Sequence, residues 1–557
     1  MLREEGAPLT RLVVVSNRVS VPRYGDQRAG GLEVVLRTVL QQNRGIWFGW
    51  SGKVASGNAR NTHSVRRNNI QYVVTDLSNV DFEEYYSGFA NRVLWPILHY
   101  RLDLAEFARR DLSGYFRVND HFATELAKIV VNDDLIWVHD YHLIPIADAL
   151  RRRGFGNRIG FFQHVPFPPP EVLASLPNHE QLIPLLMQYD VVGFQTEGDV
   201  QNFARYLISE CSQMRELRVA QTAGQEITVS LSGRQTLISS FPVSIEARAF
   251  ERLARRNLRS PLVKSLMASL GGRSLVIGVD RLDYSKGLIQ RLDAFNIFLA
   301  KHNKWIGKLT YLQITPKTRS EIPEYLELEE ALGAAASRIN GTYGEPSWTP
   351  IRYVNRVYGR SVLAGLYRAA RVGLVTPLRD GMNLVAKEFV AAQKPADPGV
   401  LILSRFAGAA INFQAALLVN PYDAESVAGA LARALAMPIE ERRARHEALF
   451  ANVCKNDVHL WQSKFLIALR GDDEQALRSN PVPPNGSGGT NKRVWRDPLT
   501  RGGGGSDRSQ AGGNGSAHWR ALAPCGKKKR PKTVAHWPGA SSGAQRARGV
   551  TDLEVLA

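Results

Sequence analysis

Apolar runs of four to six residues recur along the chain, and most of them stop abruptly at polar side chains. They cover residues 12–15, 135–138, 159–162 and 191–194 in one stretch, and residues 275–279, 309–314, 372–375 and 400–403 in the next. Runs that are apolar at every position are typical of parallel strands that are buried on both faces. The pattern breaks near Pro242, so we predict an α/β protein with two doubly wound, Rossmann-like halves.

The ligand-binding loop of the second half is predicted at residues 377–388, Pro-Leu-Arg-Asp-Gly-Met-Asn-Leu-Val-Ala-Lys-Glu. This stretch follows the apolar run 372–375 directly, and Pro377 and Gly381 predict a turn at the end of that strand. Loops at the carboxyl ends of strands are where ligands bind in open α/β sheets. We therefore expect Asp380 and its neighbours to face a ligand.

A helix is predicted directly after the turn, because residues 384–392 are apolar and Asn383 is a suitable N-cap. The unpaired N–H groups of a helix N-terminus attract anions. Glu388 lies one turn after Leu384 on the same face, so it can point at the same ligand. An ordinary strand–turn–helix unit with surface carboxylates explains the spacing equally well, since such turns are common in α/β folds.

Polar side chains also follow the strands predicted in the first half. Arg18 comes after the first run, His139 and Asp140 after the second, and His164 after the third. A lone histidine is usually structural or solvated. Two histidine-bearing strand ends that meet at one edge of a sheet favour a functional site.

Two further features suit a phosphate. Gly30 and Gly31 precede a helix predicted at residues 32–40 and would let the backbone approach a ligand closely, although a plain tight turn explains the pair better. Arg281 and Lys286 are five residues apart on one strand-end loop, where two cations can straddle a diphosphate. A solvated loop is the alternative for these two cations.

Aromatic residues are concentrated in residues 46–52 and 81–100. A sugar ring can lie against an aromatic face, but for any single member of the group a place in the core is the better interpretation. The group consists of Trp47, Trp50, Tyr85, Tyr86, Phe89, Trp95 and Tyr100.

The net charge of +19 over 557 residues is unevenly distributed. From Arg478 to Ala557 there are fourteen Lys or Arg against four Asp or Glu, so this segment carries about half of the excess. It is Gly-rich and poor in apolar residues, which predicts a disordered tail. The other basic residues form no single run, so a phosphorylated substrate is expected rather than nucleic acid. Binding of nucleic acid by the tail is the alternative.

Other totals narrow the class of protein. Apolar residues make up 44% of the chain, as in soluble globular proteins, and this length suits two or three domains. No long uncharged apolar run predicts a membrane helix, and residues 1–10 do not resemble a signal peptide. Cys211, Cys454 and Cys525 form no metal or disulfide spacing. We therefore expect a cytoplasmic protein with no membrane partner.

Several motifs together resemble the trehalose-6-phosphate synthase family, which is glycosyltransferase family 20 and has the GT-B fold of two Rossmann-like domains facing a cleft. They occur in the family's order between about residues 11 and 469. The motifs are Val15-Ser16-Asn17-Arg18, Gly30-Gly31-Leu32, Trp47-Phe48-Gly49-Trp50-Ser51-Gly52, Trp95-Pro96, His139-Asp140-Tyr141-His142, Phe161-Phe162-Gln163-His164-Val165-Pro166-Phe167-Pro168, Gly193-Phe194-Gln195-Thr196, Arg281-Leu282-Asp283-Tyr284-Ser285-Lys286-Gly287 and Asp380-Gly381-Met382-Asn383-Leu384-Val385-Ala386-Lys387-Glu388.

The resemblance implies four segments. Residues 1–245 would form an acceptor-binding domain and residues 246–453 a nucleotide-sugar-binding domain. Residues 454–477 would form a helical segment that packs back on the first domain. The basic tail, residues 478–557, has no counterpart in the family pattern.

The implied activity is that of a retaining glucosyltransferase, an α,α-trehalose-phosphate synthase (UDP-forming). Such an enzyme moves glucose from UDP-glucose to glucose 6-phosphate and gives α,α-trehalose 6-phosphate and UDP. The resemblance implies no cofactor, no metal and a homo-oligomer, either a dimer or a tetramer. A donor of ADP- or GDP-glucose or another phosphorylated acceptor stays open. A non-catalytic homologue that senses sugar phosphate is a further alternative, although it would be expected to lose donor-site residues that this chain retains.

The resemblance also implies site residues. The expected acceptor side is Arg18, Trp50, Tyr86, Trp95, Asp140 and Arg319. The other expected substrate-binding residues, mostly on the donor side, are Gly30, Gly31, Arg281, Lys286, Tyr358, Asp380, Gly381, Met382, Asn383, Leu384, Val385 and Glu388. The expected catalytic set is His164, Asp140, Arg281, Lys286 and Asp380.

Within this set, Arg281 and Lys286 are expected to hold the diphosphate and Glu388 the ribose hydroxyls. Asp380 is expected to hold hydroxyls of the donor glucose, and His164 to donate a hydrogen bond to that sugar. The chain departs from the family pattern after residues 406–410, where an acidic residue is common and this chain has Ile411 and Asn412. Because Glu388 is retained, we expect the donor site to survive, with donor choice or affinity left open.

Overall fold

The computed structural model describes residues 10–22, 36–37, 39–41, 44–56, 60–214, 216–221, 226–319 and 322–472. Gly30, Gly31 and the predicted tail at residues 478–557 lie outside these residues. The helix predicted at residues 32–40 lies partly outside them, and its described residues are helical. All described residues belong to one contact unit of the chain.

Ten strands form the first sheet. They are β1 Leu12–Arg18, β2 Ile46–Ala55, β3 Thr62–Arg67, β4 Ile70–Ser78, β5 Leu135–His139, β6 Ile159–Phe162, β7 Val191–Phe194, β8 Arg218–Gln221, β9 Ile227–Leu231 and β10 Arg234–Ser240. Their order is β3-β4-β2-β1-β5-β6-β7-β10-β9-β8. The strands from β4 to β10 in this order are parallel, and the three at the edges are antiparallel to their neighbours.

Six strands form the second sheet, and all of them are parallel. They are β11 Ser274–Val279, β12 Leu309–Ile314, β13 Ile351–Val354, β14 Val372–Val375, β15 Val400–Ser404 and β16 Leu417–Val419. Their order is β13-β12-β11-β14-β15-β16. Every predicted apolar run is a buried strand, which confirms the predicted α/β class with two parallel sheets.

Helices connect most of these strands. The longer ones are Arg109–Ala127, Ile146–Arg152, Glu197–Glu210, Ala247–Asn257, Pro261–Leu270, Leu288–Lys301, Pro323–Tyr343, Arg360–Ala369, Leu384–Ala392, Ala424–Ala436, Ile439–Lys455 and Val458–Arg470, and Phe82–Leu94 is π-helical. Short helical turns are Asn79–Asp81, Trp95–Leu98, Leu102–Leu104, Tyr141–Leu143, Pro170–Leu173, His179–Leu182, Ile183–Gln188, Tyr284–Lys286, Asn303–Trp305 and Gly408–Ile411. Among the described residues, no helix combines the length and apolarity needed to cross a bilayer.

The last described helix, Val458–Arg470, packs against the first sheet although it follows the second sheet in the chain. The ring of Phe465 stacks on Trp137 with centroids 4.5 Å apart and planes 13° apart. It lies against Gly160 and Gly193 so closely that a Cβ at either position would overlap the ring. The helix therefore ties the end of the described chain to strands β5, β6 and β7.

Candidate active site

His139, Asp140 and His164 lie together at the carboxyl edge of the first sheet. Strands β5 and β6 are adjacent and parallel, with His139 opposite Phe162, so the two histidine-bearing strand ends meet as predicted. The backbone N–H of His164 donates to Oδ1 of Asp140 at 3.2 Å. Nδ1 of His139 lies 3.0 Å from Nε2 of His164. Asp140 has a φ of 76°, in the left-handed region that residues other than glycine rarely adopt.

Burial controls the charge state of this edge. It raises the pKa of Asp140 to about 7, against the opposing effect of backbone N–H donors and of Arg281. It lowers the pKa of His164 to about 3 and that of His139 well below its usual range. At neutral pH both imidazoles are therefore neutral, and Asp140 is poised between its two forms.

Lys286 and Asp380 form an ion pair at the carboxyl edge of the second sheet. Nζ of Lys286 donates to Oδ2 of Asp380 at 2.7 Å, and Nδ2 of Asn383 donates to the same oxygen at 3.0 Å. Oδ1 of Asn383 accepts from the backbone N–H of Ala386 at 3.1 Å, which confirms the predicted N-cap of the helix Leu384–Ala392. The cap thus links the start of this helix to Asp380.

Arg291, a buried residue that was not predicted to belong to the site, holds the two loops of this edge together. Nη2 of Arg291 donates to the carbonyl of Lys286 at 3.2 Å, and its Nε donates to Oγ1 of Thr376 at 3.0 Å. Asp280 balances the charge by accepting from Nη1 at 2.5 Å. Thr376 follows β14, so the network fixes the loop that carries Lys286 relative to the loop that carries Asp380.

The two halves touch at Gly381. A Cβ at Gly381 would overlap the carbonyl oxygen of His164, and a Cβ at Gly408 would overlap the carbonyl oxygen of Gly381 and crowd Thr196. Only a glycine allows backbone contact this close. The contact places the loop of Asp380 beside the strand end that carries His164.

Trp95, from the first half, lies between two arginines of the second half. The guanidinium of Arg319 is 4.1 Å from its ring centroid and that of Arg281 is 5.6 Å away. These are cation–π distances. Trp95 is buried, as the core interpretation predicts for an aromatic residue, and it also contacts the candidate site.

Asp283 is the shared acidic neighbour of these cations. Nη1 of Arg319 donates to the hydroxyl of Tyr325 at 2.7 Å and lies 3.4 Å from Oδ2 of Asp283. Burial alone would raise the pKa of Asp283, but the charges of Arg319, Arg281 and Lys286 outweigh it and lower that pKa to about 2. Asp283 therefore stays ionised and orders the cations of the loop after β11.

Arg18, Trp50 and Tyr86 form a neighbouring group on the first half. The guanidinium of Arg18 lies 5.7 Å from the Trp50 ring, and that ring lies 5.4 Å from Tyr86. Tyr86 in turn stacks on His142, with planes 13° apart and centroids 6.2 Å apart. His142 follows Asp140 by two residues, so this group is continuous with the edge that carries Asp140 and His164.

Glu388 lies on the helix that begins at Leu384. Its Oε1 is 3.2 Å from Nε of Arg360, and burial raises its pKa against the opposing effect of that arginine. The half-buried Tyr358 precedes Arg360 by two residues. The side chain of Met382 is buried, and its carbonyl accepts from the N–H of Ala409 at 2.9 Å.

The structure brings part of the predicted set together across the two halves: Gly381 meets His164, and Trp95 meets Arg281 and Arg319. Leu384 and Val385 are in the first helical turn, where backbone N–H groups have no partner within the helix. His99, Arg291 and Arg360 were not named from the sequence, and the His99 ring centroid lies 4.0 Å from that of Trp95. Asp283 and Arg379 lie in predicted stretches but were given no role, and the Arg379 guanidinium lies 3.9 Å from the ring centroid of Tyr100. Among the described residues, no group of three or more His, Cys, Asp or Glu side chains is placed to hold a metal ion.

The chain is similar to known proteins over most of its length. A trehalose-6-phosphate synthase of Sinorhizobium fredii is 52% identical over 471 residues, which are 84% of this chain and 100% of that protein. The crystal structure of an alpha,alpha-trehalose-phosphate synthase (UDP-forming) from Burkholderia xenovorans in complex with glucose-6-phosphate has a TM-score of 0.79 at 44% identity, covering 82% of this chain and 100% of that chain.

A second solved structure, described as trehalose-6-phosphate from E. coli bound with UDP-2-fluoro glucose, has a TM-score of 0.77 at 44% identity and covers 83% of this chain and 99% of that chain. The model of glycosyltransferase family 20 matches residues 10–470, which include both sheets and every described site residue. This chain therefore belongs to glycosyltransferase family 20.

Proposed function

We propose that this chain is a retaining glucosyltransferase that moves glucose from UDP-glucose to glucose 6-phosphate and forms α,α-trehalose 6-phosphate and UDP. The observation that carries the proposal is the contact of Gly381 with His164. It sets the Lys286–Asp380 pair of one sheet beside the neutral, buried edge of the other. Membership of the family supports the same reaction, as do relatives named UDP-forming trehalose-phosphate synthases.

The second half is suited to a diphosphate leaving group. When the bond between C1 of glucose and the phosphate oxygen breaks, negative charge grows on that oxygen and must be stabilised. Arg281 and Lys286 would neutralise it, and the first-turn N–H groups of Leu384 and Val385 would add hydrogen bonds. An ammonium has three donors, so Lys286 can hold Asp380 and a phosphate oxygen together. Because Arg291 already fixes the Lys286 loop, the charge is in place before the reaction.

The acceptor side, formed by the first half together with Arg319 of the second half, is suited to a phosphorylated sugar. Arg18 and Arg319 would bind the phosphate of glucose 6-phosphate, and Trp50, Tyr86 and Trp95 would supply aromatic faces for the sugar. Asp140, when ionised, would accept a hydrogen bond from an acceptor hydroxyl. Glu388 would bind the ribose, Asp380 the donor glucose and His164 a hydroxyl of that glucose. Further substrate contacts would come from Gly30, Gly31, Tyr358, Gly381, Met382 and Asn383.

Retention would follow from attack on the face that the diphosphate leaves. The acceptor hydroxyl forms the new bond to C1 as the old bond breaks, and its proton passes to the leaving phosphate oxygen. No protein carboxylate is needed as nucleophile. Capture of a covalent glucosyl–enzyme on Asp140, Asp380 or Glu388 with a slow donor analogue would refute this route.

The proposal extends to the organisation of the protein. Residues 1–245 would form the acceptor domain, 246–453 the nucleotide-sugar domain and 454–477 a helix returning to the first. We also propose a cytoplasmic location and a homo-oligomer, a dimer or tetramer. Sedimentation of the purified full chain, with and without both substrates, tests the oligomeric state.

A product assay tests the proposed reaction. The purified full chain is incubated with glucose 6-phosphate and, in separate reactions, UDP-, ADP- or GDP-glucose, and the disaccharide is identified by NMR. We expect α,α-trehalose 6-phosphate, formed fastest with UDP-glucose. An Asp380→Asn variant purified in parallel controls for a contaminating enzyme. Absence of a disaccharide with all three donors, or a product of another linkage, would overturn the proposal.

A further inference from the structure

The contact between His139 and His164 defines where the proton of His164 lies. Nδ1 of His139 and Nε2 of His164 are 3.0 Å apart, and the two rings are within 20° of parallel. His139 is fully buried and His164 is 7% exposed. At this distance two bare lone pairs would repel and two N–H groups would clash, so one proton is shared between the two nitrogens.

Both rings are neutral at physiological pH, because burial lowers the pKa of each histidine far below 7. Each neutral imidazole has one N–H and one lone pair. The pair therefore has two arrangements: either His139 donates from Nδ1, or His164 donates from Nε2. The remaining nitrogen of His139 distinguishes them.

Nε2 of His139 is buried and has no hydrogen-bond partner among the described residues. The His139 ring itself packs among aromatic rings, with the centroids of Trp137 and Phe162 at 4.7 and 6.4 Å from its own. Buried N–H groups without an acceptor are rarer than buried acceptors without a donor. A proton on Nε2 would be such an orphan, whereas a proton on Nδ1 is used by His164. The favoured arrangement has His139 as donor.

We propose that His139 is a positioning residue that donates from Nδ1 to Nε2 of His164 and so places the single proton of His164 on Nδ1. Nδ1 is the ring nitrogen that His139 leaves free for a substrate. His164 then acts only as a hydrogen-bond donor to a hydroxyl of the donor glucose, and it cannot remove a proton from the acceptor. This role rests on the proposed glucosyl transfer, whereas the position of the proton does not.

The tautomer is measured directly on the full chain labelled with ¹⁵N-histidine. Two-bond ¹H–¹⁵N correlations distinguish a proton on Nδ1 from one on Nε2, and a His164→Gln variant assigns the signals among the 12 histidines. We expect the proton of His164 on Nδ1 and that of His139 on Nδ1. A proton on Nε2 of His164 in the parent protein would overturn the inference, whether or not the protein transfers glucose.

Two variants connect the tautomer to turnover. His139→Asn keeps an N–H near the position of Nδ1, and His139→Leu removes it. We expect His139→Leu to lose the single His164 tautomer and to reduce kcat/KM for UDP-glucose by about tenfold, the effect of one hydrogen bond. His139→Asn should retain the tautomer and stay within about threefold of the parent. His179→Leu is the control, because it removes the hydrogen bond of a different, half-buried histidine to the Tyr206 hydroxyl at 2.8 Å. It should change neither the His164 tautomer nor kcat/KM for UDP-glucose.

The outcomes separate the two proposals. Equal losses of turnover in the Asn and Leu variants with an unchanged His164 tautomer would show a packing role for His139 and overturn the inference. If the Leu variant does not fold, the parent and Asn spectra still decide it. A parent protein with the expected tautomer but no transfer from UDP-glucose would refute the proposed function and leave the placement of the proton intact.

Discussion

The two sides of the cleft use opposite electrostatics. On the first half the strand-end edge is neutral or close to it, because His139 and His164 are uncharged and burial raises the pKa of Asp140 to about 7. On the second half the acidic groups of the site are paired with cations. Lys286 binds Asp380 at 2.7 Å, and Asp283, surrounded by arginines and Lys286, has a pKa of about 2 although burial opposes this.

This difference matches what each side is proposed to bind. The hydroxyls of a sugar ring are uncharged and are recognised by aromatic faces and neutral hydrogen bonds, whereas a departing diphosphate needs fixed positive charge. The phosphate of the acceptor is instead assigned to Arg18 and Arg319. Charge placed beforehand, as by the Arg291 network, requires little reorganisation during the reaction. The contrast shows how one site can combine a neutral edge, which would face the sugar, with paired cations on the other half, which would face the diphosphate. It also predicts which substitutions are severe.

Removal of a cation from the second half should have the largest effect. In Lys286→Ala, the growing charge of the diphosphate loses a donor and Asp380 loses its ion pair, so we expect kcat to fall by about a hundredfold or more. Lys301→Ala is the matched control, because Lys301 is exposed and its ion pair among the described residues is with the exposed Glu425 at 2.8 Å. Initial rates of UDP release measure both variants. Near-normal turnover of Lys286→Ala would break the assignment of charge to this side.

Ionisation of Asp140 should produce the next largest effect. If its carboxylate accepts a hydrogen bond from the acceptor, kcat/KM for glucose 6-phosphate should fall by about thirtyfold from pH 8 to pH 5.5, since about 1.5 pH units lie below a pKa of about 7. Asp140→Asn should be slower throughout but should lack this decline. The phosphate of the substrate also titrates near pH 6, and the ratio of the two profiles removes that shared contribution. A ratio independent of pH would contradict the assignment.

The same pKa predicts a change in stability. The folded state keeps the Asp140 proton up to about pH 7, whereas the unfolded chain releases it near pH 4. The stability contributed by this proton is present below about pH 4 and is lost as the pH rises through 7. The free energy of unfolding of the parent should therefore decline relative to Asp140→Asn between pH 5 and pH 8. Urea denaturation at both values measures this difference.

Loss of the Glu388 charge should have a moderate effect that is confined to binding. Glu388→Gln keeps the shape of the side chain but weakens charge-assisted hydrogen bonds to ribose hydroxyls and to Arg360, so KM for UDP-glucose should rise by about tenfold. Because the ribose is remote from the bond that breaks, kcat should stay within about threefold. Glu425→Gln is an exposed control on the same half. A fall in kcat as large as that in kcat/KM would place Glu388 in the transition state instead.

Local signals were sufficient for much of this arrangement. The strand Val372–Val375 and the cap at Asn383 follow from adjacent residues, and the meeting of His139 with His164 follows from two consecutive parallel strands. The contacts of Arg360 with Glu388 and of Trp95 with arginines of the other half could not be predicted in this way. The first contact joins two separate helices of the second half. The second joins elements far apart in the chain, and its geometry depends on how the two sheets are packed.

The burial of the charged Arg291 side chain also could not be predicted from neighbouring residues in the sequence. Arg291 lies in an apolar helical pattern, where an arginine most often marks a solvent-facing position. It is instead fully buried and paired with Asp280. Nothing in the spacing of the helix shows that Thr376 and the carbonyl of Lys286 would be there to accept its other hydrogen bonds. Such a network is visible only when the loops after β11 and β14 are seen side by side.

Asn412 should have the smallest effect, although it stands where the family commonly has an acidic residue. Its side chain is exposed, and it follows the short turn Gly408–Ile411. That turn supports the donor loop through its backbone, since the N–H of Gly408 donates to the carbonyl of Asp380 at 3.2 Å. Exposed charges contribute little, so Asn412→Glu should change kcat/KM for UDP-glucose by less than about threefold.

A second variant on the same turn shows whether the assay is sensitive enough. In Gly408→Ala the new Cβ would overlap the carbonyl oxygen of Gly381, so the donor loop must shift, and we expect a loss of more than about tenfold. A tenfold gain in affinity for UDP-glucose in Asn412→Glu would mean that the side chain at position 412 contacts the donor. The ionised surface of that half would then extend beyond the Lys286–Asp380 pair to the rim of the cleft, and its contrast with the first half would be larger than the buried groups alone indicate.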